Sequence, residues 1–505
     1  MSQYSKYDSE FCGNIPIHII NTVQTYAVLV VLDRELVIRQ VSENVDTVFG
    51  KSARELIDIT LRELTGETFA GQIAGMRENT GGERFTTNWD GHYVIAHFHP
   101  ELILLEIETA IAAREGATFM EHFRDLRETI HRIDTATDVQ SVCTVAADEL
   151  KKVSGFDKVM IYVFDKDWNG HVMAEAREEE MEAYLGFTFP ASDIPKPARD
   201  IYKNNPYRFI PNRDFEPVKL YPVINPVTHA FLDMSDCNVR AVAAVHVEYL
   251  KNMKVGASMS VRLMINGELW GLIACHHQTA RNIDHQLCTT LELLSTIISA
   301  RINTLQLQGY FDYNTRLNNL YTQVIANIYQ NDKLQDGLTA GDGAPILMDM
   351  MQATGMAVIM NRQVHLSGTV PSKSEIGDIT LWLHLKDGRR VYHTDSLAAE
   401  YEISDSLAEM ASGLLAIPIQ AQQDEYILLF RKELIQTTSW GGNPEERILF
   451  DKDPQIYHPR HSFKLWQEHV KGFSSPWRPE EIQAAENLRS FIFAFLSPTQ
   501  DNRDL

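Results

Sequence analysis

Residues 187–202 read Phe-Thr-Phe-Pro-Ala-Ser-Asp-Ile-Pro-Lys-Pro-Ala-Arg-Asp-Ile-Tyr, and the rest of the chain is arranged about them. Pro190, Pro195 and Pro197 fix φ, and Ile194 and Lys196, each preceding a proline, are pushed toward extended geometry. The backbone around Asp193 is therefore stiff before any tertiary contact forms. Pro197 suits the first turn of a helix carrying Ala198, Ile201 and Tyr202. Asp193 is a carboxylate on a rigid loop, framed by the apolar Phe189 and Ile194. Taken alone, such an aspartate reads as a helix cap or a surface turn.

A chain of 505 residues exceeds one core, and about three domains are expected. Its 44% hydrophobic and 23% charged residues describe an ordinary globular protein. A net charge of −22 speaks against nucleic acid as a partner, because phosphates are repelled. The polar first residues and the lack of a long apolar run predict neither signal peptide nor spanning helix, hence no membrane partner and a cytoplasmic location. Five cysteines without a C-x-x-C pair argue against a disulfide framework and a zinc finger. Cys143, Cys275 and Cys288 lie in apolar patterns and read as small core residues. Cys237 lies in a polar turn, and Cys12 in a polar N-terminal arm.

Tyr26 to Asp33 and Leu36 to Val41 read as strands, followed by short helices at 42–49, 53–57 and 61–64 and by strands at 84–89, 92–99 and 102–108. This order predicts a small α+β sensor domain. His92, His97 and His99 are not expected to bind metal: only the last two share a strand face, and no carboxylate or cysteine completes the set. Helices at 118–132 and 138–153 precede strands at 158–164 and 170–177. A long proline-rich section then runs to about residue 238; so long a loop is usually functional. A helix over 242–253 leads to a hairpin, 258–265 and 268–278, across the Asn266-Gly267 turn. Leu287, Leu291, Leu294, Ile298, Ile302 and Leu305, then Tyr313, Leu317, Leu320, Val324 and Ile328, recur at helical spacing. If continuous through Gly309, that helix has about 45 residues and a length of roughly 65 Å. The region 330–480 reads as mixed α and β, with strands at 357–361, 414–418 and 426–431, and a final helix spans 480–496. No Walker loop, nucleophile elbow, kinase or cyclase signature is present.

Five features then combine. Cys12 precedes Ile17-His18-Ile19. Residues 190–195 spell PASDIP. His246 and Tyr249 precede Lys251-Asn252-Met253. Gly271 to His277 spell GLIACHH after Trp270. Pro459 to Phe463 spell Pro-Arg-His-Ser-Phe downstream of Trp440-Gly441-Gly442. In this order and spacing, over nearly the whole chain, the sequence resembles the photosensory module of bacteriophytochromes. The resemblance implies three mixed α/β (α+β) sensor domains with antiparallel sheets, joined by a long helical spine. They are an arm at 1–20, a PAS domain at 21–115, a chromophore-binding GAF domain at 130–305, a helical linker at 285–330, a PHY domain at 325–480 with a tongue at 430–476, and an output helix at 480–505. It implies a figure-of-eight knot between the arm and the GAF domain, an exception to unknotted topology.

The resemblance also implies covalently held biliverdin, a linear tetrapyrrole joined by a thioether to Cys12. Val245 stands where plant-type relatives carry the attachment cysteine. It implies Asp193, with Ile194 and Pro195, at the pyrrole nitrogens, and His246 in the proton network. Arg208, Arg240, Ser258 and Ser260 match propionate-binding positions, and arginine suits a carboxylate. Tyr162, Phe189, Tyr202 and Tyr249 match the aromatic cage, and His276 the hydrogen-bond donor to the rotating ring. Two departures stand out: Gln24 is followed by Thr25-Tyr26-Ala27 rather than Pro-His-Gly, and Ala243 replaces a serine. The implied function is red/far-red light reception, without enzyme activity in this stretch. The implied partners are a homodimer through the GAF and PHY helices and a C-terminal effector domain, a histidine kinase or a diguanylate cyclase. Because the sequence stops one helix beyond the third domain, it is expected to be a piece of a longer protein. The alternative is a GAF/PAS sensor of a small ligand such as a cyclic nucleotide, for which neither a nest of backbone amides nor a separate basic cluster is seen.

The tongue carries two periods. As a strand, His461, Phe463 and Leu465 share one face. As a helix, Phe463, Trp466 and Val470 do, with Glu468 completing a Trp-x-Glu pattern, and Pro459 and Pro476 bracket the segment. Such patterning suits a bistable element. The resemblance pairs Arg460 with Asp193 in darkness and hands that contact to Ser462 after refolding. Far-UV circular dichroism of the pigment-loaded chain is expected to show strand exchanged for helix after red light; an unchanged spectrum removes the switch.

Overall fold

The computed structural model describes residues 16–79, 84–108, 119–331, 333–386, 390–401, 405–420, 423–443, 449–450, 457–458 and 463–497. The chain divides into two units, residues 1–305 with 439–466, and residues 306–438 with 467–505.

The first unit holds two large sheets and a two-stranded one, Leu449–Phe450 with Tyr457–His458. The seven-stranded sheet runs Thr22–Val23, Val218–Tyr221, Ile38–Ser42, Ala27–Leu32, Ile103–Glu108, His92–Phe98, Phe85–Trp89 from edge to edge. Its central strand is apolar at every position because both faces are covered. Val28, Val30 and Leu32 pack under the helices that follow, whereas Ala27, Leu29 and Val31 pack against Leu220, Leu232, Met234 and Val239. The long proline-rich section is thus a structural cover for this sheet. It also contains two strands that were not read from the sequence, Tyr207–Ile210 and Val218–Tyr221. Each is four residues long and gains its order from cross-strand pairing, which is not a local signal. The helix Glu67–Asn79 was also missed. Gly71 and Gly75 weaken its local signal, while Phe69, Ala70 and Ile73 bury its inner face.

The eight-stranded sheet runs Tyr207–Ile210, Ala257–Ile265, Glu268–His277, Lys158–Phe164, Gly170–Arg177, Thr188–Phe189, Gln436–Gly441, Leu465–Val470. Asn266 and Gly267 turn the hairpin with φ of 52° and 79°, as the sequence predicted. Alternation divides the strands between two faces. Val159, Ile161, Ile273 and Cys275 enter the core beneath helix Val139–Ser154 and the start of helix His285–Gln330, while Met160, Tyr162, Leu272, Ala274 and His276 face a cavity. The spine helix is continuous through Gly309. Leu291, Leu294, Ile298 and Ile302 belong to the core of the first unit, and Leu317, Val324 and Ile328 to that of the second.

Arm residues adjoin the first sheet. Thr22 and Val23 pair with Lys219 and Val218 on one side, and Val23 bridges Arg240 on the other. Met234 N–H donates to the His18 carbonyl at 2.9 Å, and Ala241 N–H to the Thr22 carbonyl at 2.8 Å.

The second unit has a five-stranded sheet ordered Gln363–Gly368, Gly355–Met360, Glu425–Arg431, Gly413–Gln420, Tyr392–Thr394. Its two outer strands escaped the sequence reading; the first is mostly half-exposed and the last has three residues. Arg431 anchors this unit. Its guanidinium donates to Glu481 at 2.8 Å and to the carbonyls of Met351 and Pro476 at 2.7 and 2.8 Å, and it lies 3.7 Å from the Trp477 ring centre. Breaking a buried ion pair by removing one partner leaves the other uncompensated. Arg431→Met is therefore expected to cost about 3–5 kcal/mol in denaturant unfolding of this unit. A midpoint equal to wild type would show that the pair does not hold it.

Candidate functional site

The stiff loop has the geometry its prolines dictate. Pro190 is extended, Ala191–Asp193 form one 3-10 turn, and Ile194 before Pro195 has φ −126°. Helix Lys196–Asn204 follows with proline in its first turn. Arg199, 6% exposed, closes the loop: its Nη1 donates to the Ile194 carbonyl at 2.6 Å and the Ala191 carbonyl at 3.4 Å, and its guanidinium lies 4.7 Å over Trp168. Tyr249 Oη donates to Asp193 Oδ2 at 3.0 Å.

Loop, sheet face and helix Ala244–Asn252 enclose a cavity of about 250 Å³. Every nominated residue of the middle region comes to its wall: Tyr162, Phe189, Asp193, Ile194, Pro195, Tyr202, Arg208, Arg240, His246, Tyr249, Ser258, Ser260 and His276. Strand register explains part of this, since Arg208 is paired with Ser260, and Ser258 with His276. Ile17 and Ile20 of the arm also reach the wall, as do Met160 and Tyr184. These were not nominated; an apolar or tyrosine side chain in a strand or arm reads as core. Arg199 was likewise missed, because its loop partners appear only when helix and loop are folded together. Cys12 lies outside the described residues.

Burial sets the electrostatics. It pushes His246 down to about 4, helped by the charge of Arg208. It pushes His276 down to about 3, helped by Lys158 and His246. Both imidazoles are neutral at pH 7. Burial, then repulsion from Arg208, pushes Arg240 down to about 9. Burial raises Tyr202, a shift that its hydrogen bond with Ser260 opposes. Arg208 donates to the carbonyls of Asn238, Arg240 and Ala241 at 2.7, 2.5 and 3.1 Å, so its guanidinium is largely engaged by backbone. Arg240 donates to the Ile17 carbonyl at 3.1 Å, yet its Nε is buried without a partner, and so is Nδ1 of His276. Unpaired buried polar atoms are costly unless a ligand or water meets them. An apolar cavity walled also by Arg208, Arg240, Ser258, Ser260 and the neutral His246 and His276 fits a largely apolar ligand with an anionic group and a carbonyl or amine.

The tongue residues meet this wall where they are described. Trp440 pairs in parallel with Thr188. Phe463 is buried, with its ring 5.1 Å from Tyr249 and 6.5 Å from Phe189. Gly441 is required: a Cβ there would lie 2.6 Å from the Phe189 ring. Trp466 and Glu468 lie on strand Leu465–Val470. Pro459, Arg460 and Ser462, and with them the expected Arg460–Asp193 pair, lie outside the described residues.

Elsewhere in the first unit the fold places one cysteine and corrects one expectation. Cys237 is fully buried, because the segment around it covers the seven-stranded sheet. The carboxylate and cysteine that the sequence reading found missing near His97 are supplied by the fold: Glu106 and Cys237 have ligand atoms within 4.8 Å of it. His97 Nε2 lies 2.6 Å from Glu106 Oε1, and Val239 N–H donates to Glu106 Oε2 at 2.5 Å. Both carboxylate oxygens are thus engaged, and the trio clamps the covering segment to the sheet.

Arg199→Met leaves two loop carbonyls without their donor. A loss of about 1–3 kcal/mol and faster amide exchange over residues 190–195 are expected by hydrogen–deuterium exchange; unchanged exchange would mean that the prolines alone hold the loop.

Residues 12–110 match the PAS fold family, 138–302 the GAF domain and 317–500 the phytochrome region, PHY. A cyanobacterial phytochrome A of Nostoc sp. is 35% identical over 94% of this chain, which spans 64% of that protein. A bacteriophytochrome of Xanthomonas campestris pv. campestris is 30% identical over 96% of this chain and 78% of its own length. Among solved structures, a bacteriophytochrome of R. palustris superposes with a TM-score of 0.80 at 30% identity, covering 95% of this chain and 98% of that one. The Stigmatella aurantiaca phytochrome photosensory core module gives 0.78 at 32% identity, covering 96% and 97%. Among the described residues no helix is long and apolar enough to cross a membrane. The cavity, the three matched regions and these relatives place the chain in the phytochrome family, as its PAS–GAF–PHY photosensory module.

Proposed function

We propose that the chain receives red and far-red light through biliverdin held in the middle-domain cavity and joined to Cys12, and that it signals by refolding the tongue at 430–476. The observation that carries this reading is the cavity wall itself, aromatic and apolar with Arg208, Arg240, Ser258, Ser260 and His276 set into it. Bound biliverdin would supply the conjugated system that absorbs red light and isomerises at a methine bond. Arg240 is the stronger candidate to pair with a propionate, because Arg208 is engaged by carbonyls; Ser258 and Ser260 add hydroxyls. The Asp193 backbone carbonyl and neutral His246 would hold the pyrrole protons. Tyr162, Phe189, Tyr202 and Tyr249 would wall in the terminal ring, and His276 would bond its carbonyl. The cyclic-nucleotide alternative gains no support from a wall so apolar.

The domain boundaries given for the sequence remain part of this proposal. A figure-of-eight knot is supported by strand Thr22–Val23, which directly follows the arm and is flanked by Val218–Lys219 and Arg240 of the covering segment. A homodimer is supported by exposed apolar residues on the spine helix, Leu307 and Phe311 among them. An effector domain beyond the present sequence fits the greater length of the relatives. A cytoplasmic location and the absence of enzyme activity in this stretch complete the reading.

Wild-type chain incubated with biliverdin is expected to become photochromic, and to keep its pigment after denaturation. Cys12→Ser is expected to bind pigment that denaturation releases. A wild-type chain that stays colourless with excess biliverdin overturns the proposal.

A further inference from the structure

Lys158 is 1% exposed, an unusual site for an ammonium. It shares a strand face with Met160 and Tyr162, both at the cavity wall, and is paired across the strands with His276. Its Nζ lies 3.9 Å from the centre of the Tyr184 ring and 3.7 Å from Glu175 Oε1, and donates to the Glu182 carbonyl at 2.5 Å. Glu175 accepts from the backbone N–H groups of Tyr184 and Leu185 at 3.0–3.1 Å. Tyr184 in turn lines the cavity, edge-on to Phe189 at 5.6 Å, with its hydroxyl donating to Glu182 Oε2 at 3.0 Å. A methionine would fill comparable volume without burying charge, so the ammonium is best explained by what it faces.

We propose that Lys158 is a positioning residue of the cavity, whose ammonium pins Tyr184 as a wall ring and, facing His276 across the sheet, opposes a second positive charge there. This rests on the cavity being the pigment site, but only in naming the ligand. The groups facing Lys158 are Glu175 and Arg177 on the neighbouring strand, Glu182 and Tyr184 on the loop after it, and His276 on the other side. Lys254 binds Glu182 at 3.2 Å, and His246 faces His276 from the helix. Burial, opposed by Glu175 and Glu182, pushes Lys158 down to about 8. Its charge is therefore mostly present at pH 7 and is lost as the pH rises through 8. While present, it disfavours a second cation on His276.

The test follows imidazole nitrogen resonances in histidine-labelled, pigment-free chain, with His276→Gln assigning the signal. In wild type the His276 signal should shift near pH 8, as Lys158 loses its proton, and should show His276 still neutral at pH 5. Lys158→Met should abolish the alkaline shift and raise the protonation midpoint of His276 by about one pH unit or more. Lys158→Arg should restore the low midpoint, which a merely space-filling role would not require. A wild-type signal without an alkaline response, or equal midpoints in wild type and Lys158→Met, overturns the inference. The alkaline response needs no variant and no acid, so it decides even where Lys158→Met misfolds. In biliverdin-loaded protein, Lys158→Met should also move the pH at which the absorption band titrates. A wild-type chain that takes up no pigment ends the light-receptor reading, while the pigment-free titration still decides the role of Lys158.

Discussion

Two backbone carbonyls tie the first unit together. The carbonyls of Asn238 and Arg240 each accept a hydrogen bond from the Arg208 guanidinium and another from Gln24 Nε2. Arg208 is a half-buried cation on a short strand, and its desolvated N–H groups must be met by oxygen wherever the chain can supply it. By drawing in residues 238–241, it fixes the covering segment over the strand and aims Arg240 along the cavity wall. Gln24 adds a third acceptor, the Phe209 carbonyl at 3.1 Å, so the arm is bound to the same spot. Arm, covering segment and cavity wall therefore cannot move independently. A pigment tethered from the arm would feel the same network that orients its anion-binding group.

The cavity manages charge by removing water. Burial keeps its histidines neutral, with no carboxylate among the described residues offsetting it, and its arginines keep positive charge. The loop at Asp193 meets a different need, shape rather than charge. Proline supplies stiffness, Arg199 ties two carbonyls, and Tyr249 holds the carboxylate oxygen, so one side chain joins the loop to the helix that also carries His246. Among the described tongue residues, Trp440 bridges Thr188 and the ring of Phe463 packs against Tyr249 and Phe189. Contacts to Phe189 and Tyr249, which also line the cavity, suit an element whose stability depends on the cavity's contents.

Much of this was legible locally. The hairpin at Asn266-Gly267, the helical stripe from Leu287 to Ile328 and the stiff loop follow from turn chemistry, periodicity and proline geometry, which act within a few residues. The motif residues converged because they alternate on strands or share a helix turn. Arg199, Tyr184 and Lys158 did not announce themselves, since each acts through a partner distant in sequence or on another element. The burial of Cys237 was not legible for the same reason: the sequence shows only a polar turn, but the fold lays its segment on an apolar sheet face.

The sequence by itself determined the kinds of elements, the apolar faces they bury, the rigidity about Asp193 and the chemistry available to a cavity. Only the tertiary structure decided which groups lose water together, and hence which histidines stay neutral, which arginine keeps an open N–H and where a buried ammonium stands. Those outcomes depend on desolvation and on charges brought close by distant parts of the chain, and neither quantity exists until the strands have paired.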